Sequence, residues 1–132
     1  MKWVSKNKRR KYSLKRLINS FGYAIKGIIT VYKTEQNIVI HSIVALIVIF
    51  LAYYLKVSNI ELCLLVLVIA LVIAFEIINT ALEYVVDMAM PNIHPMAKMA
   101  KDASSGAVLI TAIASIIIGL IIFLPKIMVL LS

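Results

Sequence analysis

Residues 38–55, 60–82 and 107–124 form three apolar runs, and no other feature constrains the fold of this chain as tightly. A helix of about 20 apolar residues spans a hydrocarbon core about 30 Å thick, so each run is long enough to cross a bilayer. The only ionisable side chain in the first run is His41, near its start, and the second run is interrupted late by Glu76 and Asn79. The chain is 63% hydrophobic with a mean hydropathy of +1.02, against roughly 45–50% apolar content in a soluble domain. A water-soluble fold of 132 residues cannot bury that much apolar surface, whereas a bilayer can. The expected class is therefore an all-α integral membrane protein with three transmembrane helices. Residues 56–59 read as a tight polar turn. Pro91 and Pro95 are expected to stop the second helix and shape a loop, and Pro125 to end the third, because proline removes a donor and restricts its predecessor.

Upstream of these runs the pattern changes twice. Residues 1–12 are polar, basic and without periodicity, and are expected to form a disordered arm. From Ser13, a plausible N-cap, apolar residues recur at helical spacing through Leu14, Leu17, Ile18, Phe21, Ile25, Ile28 and Tyr32, with Lys15, Arg16, Lys26 and Lys33 among the other positions. Residues 13–34 thus predict an amphipathic surface helix, and residues 13–132 form one membrane domain. A helix packed on a partner protein has the same pattern.

The net charge of +8 would suggest nucleic acid if it were spread evenly, but ten of the fourteen Lys and Arg lie between Lys2 and Lys33. A basic segment beside apolar spans is attracted to anionic lipid head groups, at about 1 kcal/mol per basic side chain. Nucleic acid is not an expected partner; membrane lipids are. Lys98 and Lys101 add to the same side, leaving Lys56 and Lys126 on the other. The positive-inside rule then puts the N-terminus and the second loop in the cytoplasm of a multi-pass cell-membrane protein. Cys63, the single cysteine, stands in an apolar run and forms no intrachain disulfide. No short apolar segment with a small-residue cleavage site follows the basic arm, so a cleaved leader is not expected.

The acids are as unevenly distributed as the bases. Glu35, Glu76, Glu83, Asp87 and Asp102 fall at the cytoplasmic level, and only Glu61 falls at the other. Glu76, Glu83 and Asp87 share one face of a helix, with Asn79 about 60° aside, in a stripe about 16 Å long. A carboxylate inside a membrane costs a few kcal/mol and usually faces a bundle interior or a wet cavity. Such acids either pair with bases on neighbouring helices or hold a cation. The stripe alone leaves both open, since magnesium takes oxygen ligands from one or two carboxylates and substrate phosphates; Glu35 at the same membrane level points to a site. Lys101 and Asp102 by themselves read as a solvated ion pair, and His94 as an incidental loop residue. Small residues at 103–107 permit close helix packing or approach of a ligand. None of the four glycines lies in a Walker or kinase phosphate loop.

Four blocks carry a resemblance. They are Asn19-Ser20-Phe21-Gly22-Tyr23-Ala24-Ile25-Lys26-Gly27; Glu35-Gln36-Asn37 with His41; Glu76-Ile77-Ile78-Asn79-Thr80-Ala81-Leu82-Glu83 with Asp87; and Lys101-Asp102-Ala103-Ser104-Ser105-Gly106-Ala107-Val108-Leu109. In this order they resemble the prokaryotic diacylglycerol kinase family, and within it most the undecaprenol kinases of Gram-positive bacteria. The resemblance implies a homotrimer with active sites shared between protomers, a lipid alcohol and ATP as substrates, and Mg2+ as cofactor. It implies Glu76 as catalytic base and Glu35 and Glu83 as metal ligands that also face the nucleotide. Arg16, Tyr23, Lys101 and Asp102 become nucleotide contacts, with the loop of Asn92, Ile93 and His94 over the nucleotide. Ser20, Phe21 and Ser105 fall on the lipid side together with Glu76, and Asn79 and Asp87 are supporting polar residues. The family often has Ala or Gly where Ser104 and Ser105 stand, a departure that bears on lipid choice.

The expected function is ATP-dependent phosphorylation of undecaprenol to undecaprenyl phosphate at the cytoplasmic face. Diacylglycerol, whose hydroxyl lies at the same depth, is the alternative acceptor. A non-enzymatic membrane oligomer with acids lining a pore is the alternative of another class, but it predicts acids spread along a span.

Overall fold

The computed structural model describes residues 13–132, so the basic arm of residues 1–12 lies outside the described residues. Among the described residues all regular structure is helical: α1 (Leu14–Thr34), α2 (Gln36–Tyr54), α3 (Asn59–Ala89) and α4 (Pro95–Leu131). Three of them, α2, α3 and α4, are long and apolar enough to cross a membrane. At 1.5 Å per residue α2 is about 28 Å long, α3 about 46 Å and α4 about 55 Å. The first matches a hydrocarbon core of about 30 Å, and the other two exceed it. At one end the excess, residues 83–89 of α3 and 95–106 of α4, carries Glu83, Asp87, Lys98, Lys101 and Asp102; at the other α4 runs on past Pro125.

The turns are set by local chemistry. Glu35 alone separates α1 from α2. It has extended backbone (φ −113°, ψ 120°), capping α1 while it opens α2. Between α2 and α3, Lys56 adopts a positive φ of 50°. Ser58 then caps α3 reciprocally: its hydroxyl accepts from the Glu61 N–H at 3.3 Å, and the Glu61 carboxylate accepts from the Ser58 N–H at 2.7 Å. Such a box satisfies two otherwise orphaned donors at a helix start. At the other turn, Met90 to His94 connect α3 to α4. His94 is the N-cap, its Nδ1 accepting from the Met96 N–H at 3.2 Å, and Pro95 takes the first helical position, where its missing N–H is no loss.

Two expectations are corrected here. Pro95 opens α4 and does not belong to a loop that delays the helix to residue 107. Pro125 does not end α4, which continues to Leu131. A proline in a helix removes one backbone hydrogen bond, and packing on both sides of it offsets that loss. Ile122 and Phe123 before it join Ala52 and Leu65 in the buried core, Ile127 after it packs on the same cluster, and Lys126 pairs with Glu61 at 3.2 Å.

That core stands at the end of the bundle opposite Glu76, Glu83 and Asp87. α3 and α4 form the main antiparallel pair, and α2 packs on α3. Elsewhere the apolar side chains face outward: Leu46, Phe50, Ile110, Ile121 and Leu130 are each more than half exposed. In water this would be untenable; in a bilayer such faces meet lipid or other helices. α1 is amphipathic as expected, but every residue from Ser13 to Thr30 is exposed, and only its last turn joins the bundle, through buried Val31. Ser13 has N-cap backbone geometry without a side-chain capping bond.

Candidate active site

Glu76 is the deepest of the clustered acids. It stands on α3 with 3% of its surface exposed, and Thr80 below it is 1% exposed. Its carboxylate has a partner on another helix: His41 Nε2 of α2 lies 3.1 Å from Glu76 Oε1. One turn further along α3, Asn79 Nδ2 donates to Glu83 Oε1 at 3.2 Å, while Asn79 Oδ1 is buried without a partner. Asn79 and Glu83 are four apart, the spacing at which helical side chains meet.

Glu35 is brought to this level by its neighbour. Tyr84 OH donates to Thr34 Oγ1 at 3.0 Å, so the residue before Glu35 is tied to the residue after Glu83. Tyr32 OH bonds Ser42 Oγ at 2.6 Å, fixing the same turn of α1 against α2. The charges of Glu35 and Glu83 both act on the Glu76 carboxylate. Three carboxylates thus converge from the α1–α2 junction and two turns of α3.

Beside Glu76 lies a cavity of about 380 Å³ between α2, α3 and α4. Its polar lining comes from Asn37, His41, Glu76, Asn79 and Ser105, its apolar lining from Ile40, Val108, Leu109 and Ala112. A carboxylate, an amide and a hydroxyl therefore meet an apolar wall in a space open to one side. A methyl group added at Gly106 would meet nothing within 4 Å, so this glycine does not serve close packing within this chain.

A second cleft, of about 220 Å³, occupies the polar overhang. Asp87, Asn92, Ile93, His94, Lys98 and Lys101 line it. Lys101 Nζ lies 2.6 Å from Asp87 Oδ1, across from α4 to α3, and also feels the charge of Glu83. Lys98 pairs with Asp102 one turn along α4. The reading of Lys101 and Asp102 as a pair with each other is thus corrected: consecutive helical residues point about 100° apart, so each finds a different partner.

The expected site residues fall into three groups. Glu35, Glu76, Asn79, Glu83 and Ser105 come together around the buried carboxylate. Asp87, Asn92, Ile93, His94 and Lys101 come together in the overhang cleft, with Asp102 next to it through Lys98. Arg16, Ser20, Phe21 and Tyr23 join neither within one chain, since they lie on the exposed part of α1. Arg16 is about 27 Å along the helix from Thr34, and Tyr23 about 16 Å.

Sequence reasoning missed the side-chain pairs that set the geometry: His41 with Glu76, and Thr34 with Tyr84. His41 had a usable signal, since it is the only ionisable group of its span and intramembrane ionisable residues usually have a partner. The Thr34–Tyr84 bond has none, because it depends on how α1 meets α3.

The donors at the acidic end are oxygen atoms, which suits a hard divalent cation. Among the described residues no three His, Cys, Asp or Glu side chains gather tightly enough to hold an ion unaided. By donor chemistry, Glu35 and Glu83 are the residues that would hold a magnesium ion, which takes one or two carboxylates together with phosphate oxygens and water. The unpartnered Asn79 Oδ1 beside Glu83 is a further oxygen available there.

Three membrane-length helices, with a carboxylate-centred cavity at one end and a polar overhang above it, define a small multi-pass membrane protein. Residues 22–123 match the model of the family described as prokaryotic diacylglycerol kinase, and the chain belongs to that family. It is 40% identical over 120 residues to an undecaprenol kinase of Bacillus subtilis, covering 91% of this chain and 98% of that one. It is 40% identical over 113 residues to a diacylglycerol kinase of Synechocystis, covering 85% of this chain and 65% of that one. A diacylglycerol kinase of Haemophilus influenzae is 35% identical over 111 residues, covering 83% and 94%.

Proposed function

We propose that this protein phosphorylates undecaprenol, transferring the γ-phosphoryl group of ATP to the lipid hydroxyl at the cytoplasmic face of the cell membrane. The observation that carries the reading is the buried Glu76 carboxylate, held by His41 in a cavity with one polar and one apolar wall. Its depth suits an alcohol whose chain stays in the bilayer. The likeness to the Bacillus subtilis enzyme over nearly the whole of both chains supports the choice of alcohol. The two diacylglycerol kinases support the same chemistry on the alternative acceptor. A pore is the weaker reading, because the acids cluster at one end of the bundle.

In the proposed reaction the lipid oxygen attacks the γ-phosphorus, its proton passes to a Glu76 oxygen, and the bond from phosphorus to the bridging oxygen breaks to release ADP. Proton acceptance by a positioned carboxylate is worth typically 10²–10⁴-fold. Glu35 and Glu83 would hold magnesium, which supplies neutralisation of the phosphate charge. Phosphoryl transfer otherwise asks for positioning and electrostatics. Lys101, with Asn92, Ile93 and His94, would hold the nucleotide in the overhang cleft. Arg16, Tyr23, Ser20 and Phe21 contribute in this reading from the α1 of a neighbouring copy, as a homotrimer with shared sites would allow. The basic side chains near the acidic end support a cytoplasmic site.

The test offers undecaprenol and diacylglycerol side by side to purified protein with labelled ATP and magnesium, in one detergent at equal mole fraction. Undecaprenol turned over at least as fast is the expected result. Faster turnover of diacylglycerol would move the assignment to that alcohol. Phosphorylation of neither, by protein shown to be folded, would end the kinase reading for this chain.

A further inference from the structure

We propose that His41 is the positioning residue for Glu76, holding one carboxylate oxygen so that the other is presented to the lipid hydroxyl; this rests on the reading of Glu76 as the base. The contact joins two helices. His41 Nε2 on α2 and Glu76 Oε1 on α3 lie 3.1 Å apart, and Glu76 has no other side-chain hydrogen-bond partner among the described residues. Thr80 beneath it donates to the Glu76 backbone carbonyl and leaves the carboxylate alone.

The buried Glu76 carboxylate has two like-charged neighbours, Glu35 and Glu83, and His41 as its one side-chain partner. Repulsion alone would turn it away from the metal-binding end. The imidazole opposes this, and its own place is fixed. Ser42, the next residue, accepts the Tyr32 hydroxyl at 2.6 Å while donating to the Ile38 carbonyl at 2.7 Å, which locks this turn of α2 against α1. His41 also stands at the boundary of two spaces. It lines the polar cavity with Asn79 and Ser105 on one side, and on the other a cavity of about 70 Å³ lined by Val44, Leu65, Val72 and Gly119. A bond at that boundary keeps the carboxylate at the edge of the apolar phase, where the alcohol must arrive.

The experiment compares His41→Ala and His41→Gln with the parent in the labelled-ATP assay, with full titrations of ATP and lipid. Glutamine reaches the position of Nε2 and restores a donor, whereas alanine does not. Misplacing a reacting group by about 1 Å costs on the order of 10²-fold, so His41→Ala is expected to lose about that factor in kcat. KM for ATP and for lipid should stay within about twofold, and His41→Gln should recover to within about tenfold of the parent. Should His41→Ala fail to fold, His41→Asn replaces it. Asparagine places its donor near the Nδ1 position, so it should fall about tenfold below glutamine. An active parent whose His41→Ala variant keeps its kcat, or whose Gln and Asn variants are equally impaired, overturns the positioning role alone. A folded parent inactive on both alcohols overturns the kinase reading and this role with it.

Discussion

Replacing Glu76 by glutamine removes proton acceptance while leaving shape nearly unchanged, and the structure sets the scale of each effect. Glu76 is 3% exposed, so a change in volume would be felt, but glutamine has the same heavy-atom outline. Its amide oxygen still accepts from His41, and the charge-assisted bond becomes a neutral one, a loss on the order of 1 kcal/mol. Against that, glutamine spares the cost of burying a charge and of holding it near Glu35 and Glu83. The two terms oppose each other, so thermal unfolding in detergent should shift little. The reaction has no such compensation. A general base contributes typically 10²–10⁴-fold, which corresponds to about 3–5 kcal/mol of barrier. The assay is labelled phosphate transfer to undecaprenol at saturating ATP and magnesium, run beside a melt of the same preparation. A cooperative melt with activity down at least a hundredfold is expected. Activity within tenfold of the parent, with the melt intact, would refute Glu76 as the base and move the search for the proton acceptor to Glu83 or Asp87.

Glu35→Ala and Glu83→Ala should each raise the magnesium needed for half-maximal rate, and the double variant should fall short of the sum of the two free-energy losses, because residues holding one ion do not act independently; additive losses with an unchanged magnesium titration would separate their roles. Tyr84→Phe removes the bond to Thr34 and should cost about 1 kcal/mol of stability while raising the magnesium requirement several-fold, since Glu35 loses its tie to α3. An unchanged titration would mean that the α1–α2 junction is fixed by packing alone. Ser58→Ala should lower thermal stability by about 1 kcal/mol through loss of the α3 cap, with kinase activity retained; a loss of activity without a shift in the melt would place a functional role at the far end of the bundle.

The spans were legible because a run of apolar residues has one outlet, the bilayer, whatever its neighbours do. Helix ends were less so, and for separate reasons. The start of α3 is written locally in Ser58 and Glu61, a spacing that marks a capping box. The continuation of α4 through Pro125 is not local, because it depends on Phe123 and Ile127 packing on Ala52 and Leu65. Residues 95–106 are helical although polar, since Pro95 with His94 starts a helix as effectively as an apolar run would. In the site, the face shared by Glu76, Glu83 and Asp87 follows from helical periodicity alone. Partner choice across helices does not: Lys101 has Asp102 beside it in sequence and Asp87 beside it in space.

The mismatch between helix lengths explains why chemistry on a membrane-bound alcohol is possible here at all. α2 spans the hydrocarbon core and stops, while residues 83–89 of α3 and 95–106 of α4 continue about 10 Å and about 18 Å beyond it at 1.5 Å per residue. Walking outward along α3, the environment changes from a carboxylate shut between helices at Glu76, through an amide and a carboxylate in mutual contact at Asn79 and Glu83, to an exposed ion pair at Asp87 and Lys101. A polar phosphate donor is stable only at the outer end of that series, and a long apolar acceptor only at the inner end. The step of two helical turns between Glu76 and Glu83, about 10 Å, is then the distance over which the two substrates must be brought together. On the proposed roles, a shorter α3 would leave the donor without a binding surface, and a deeper Glu76 would stand out of reach of a phosphate held at the water side.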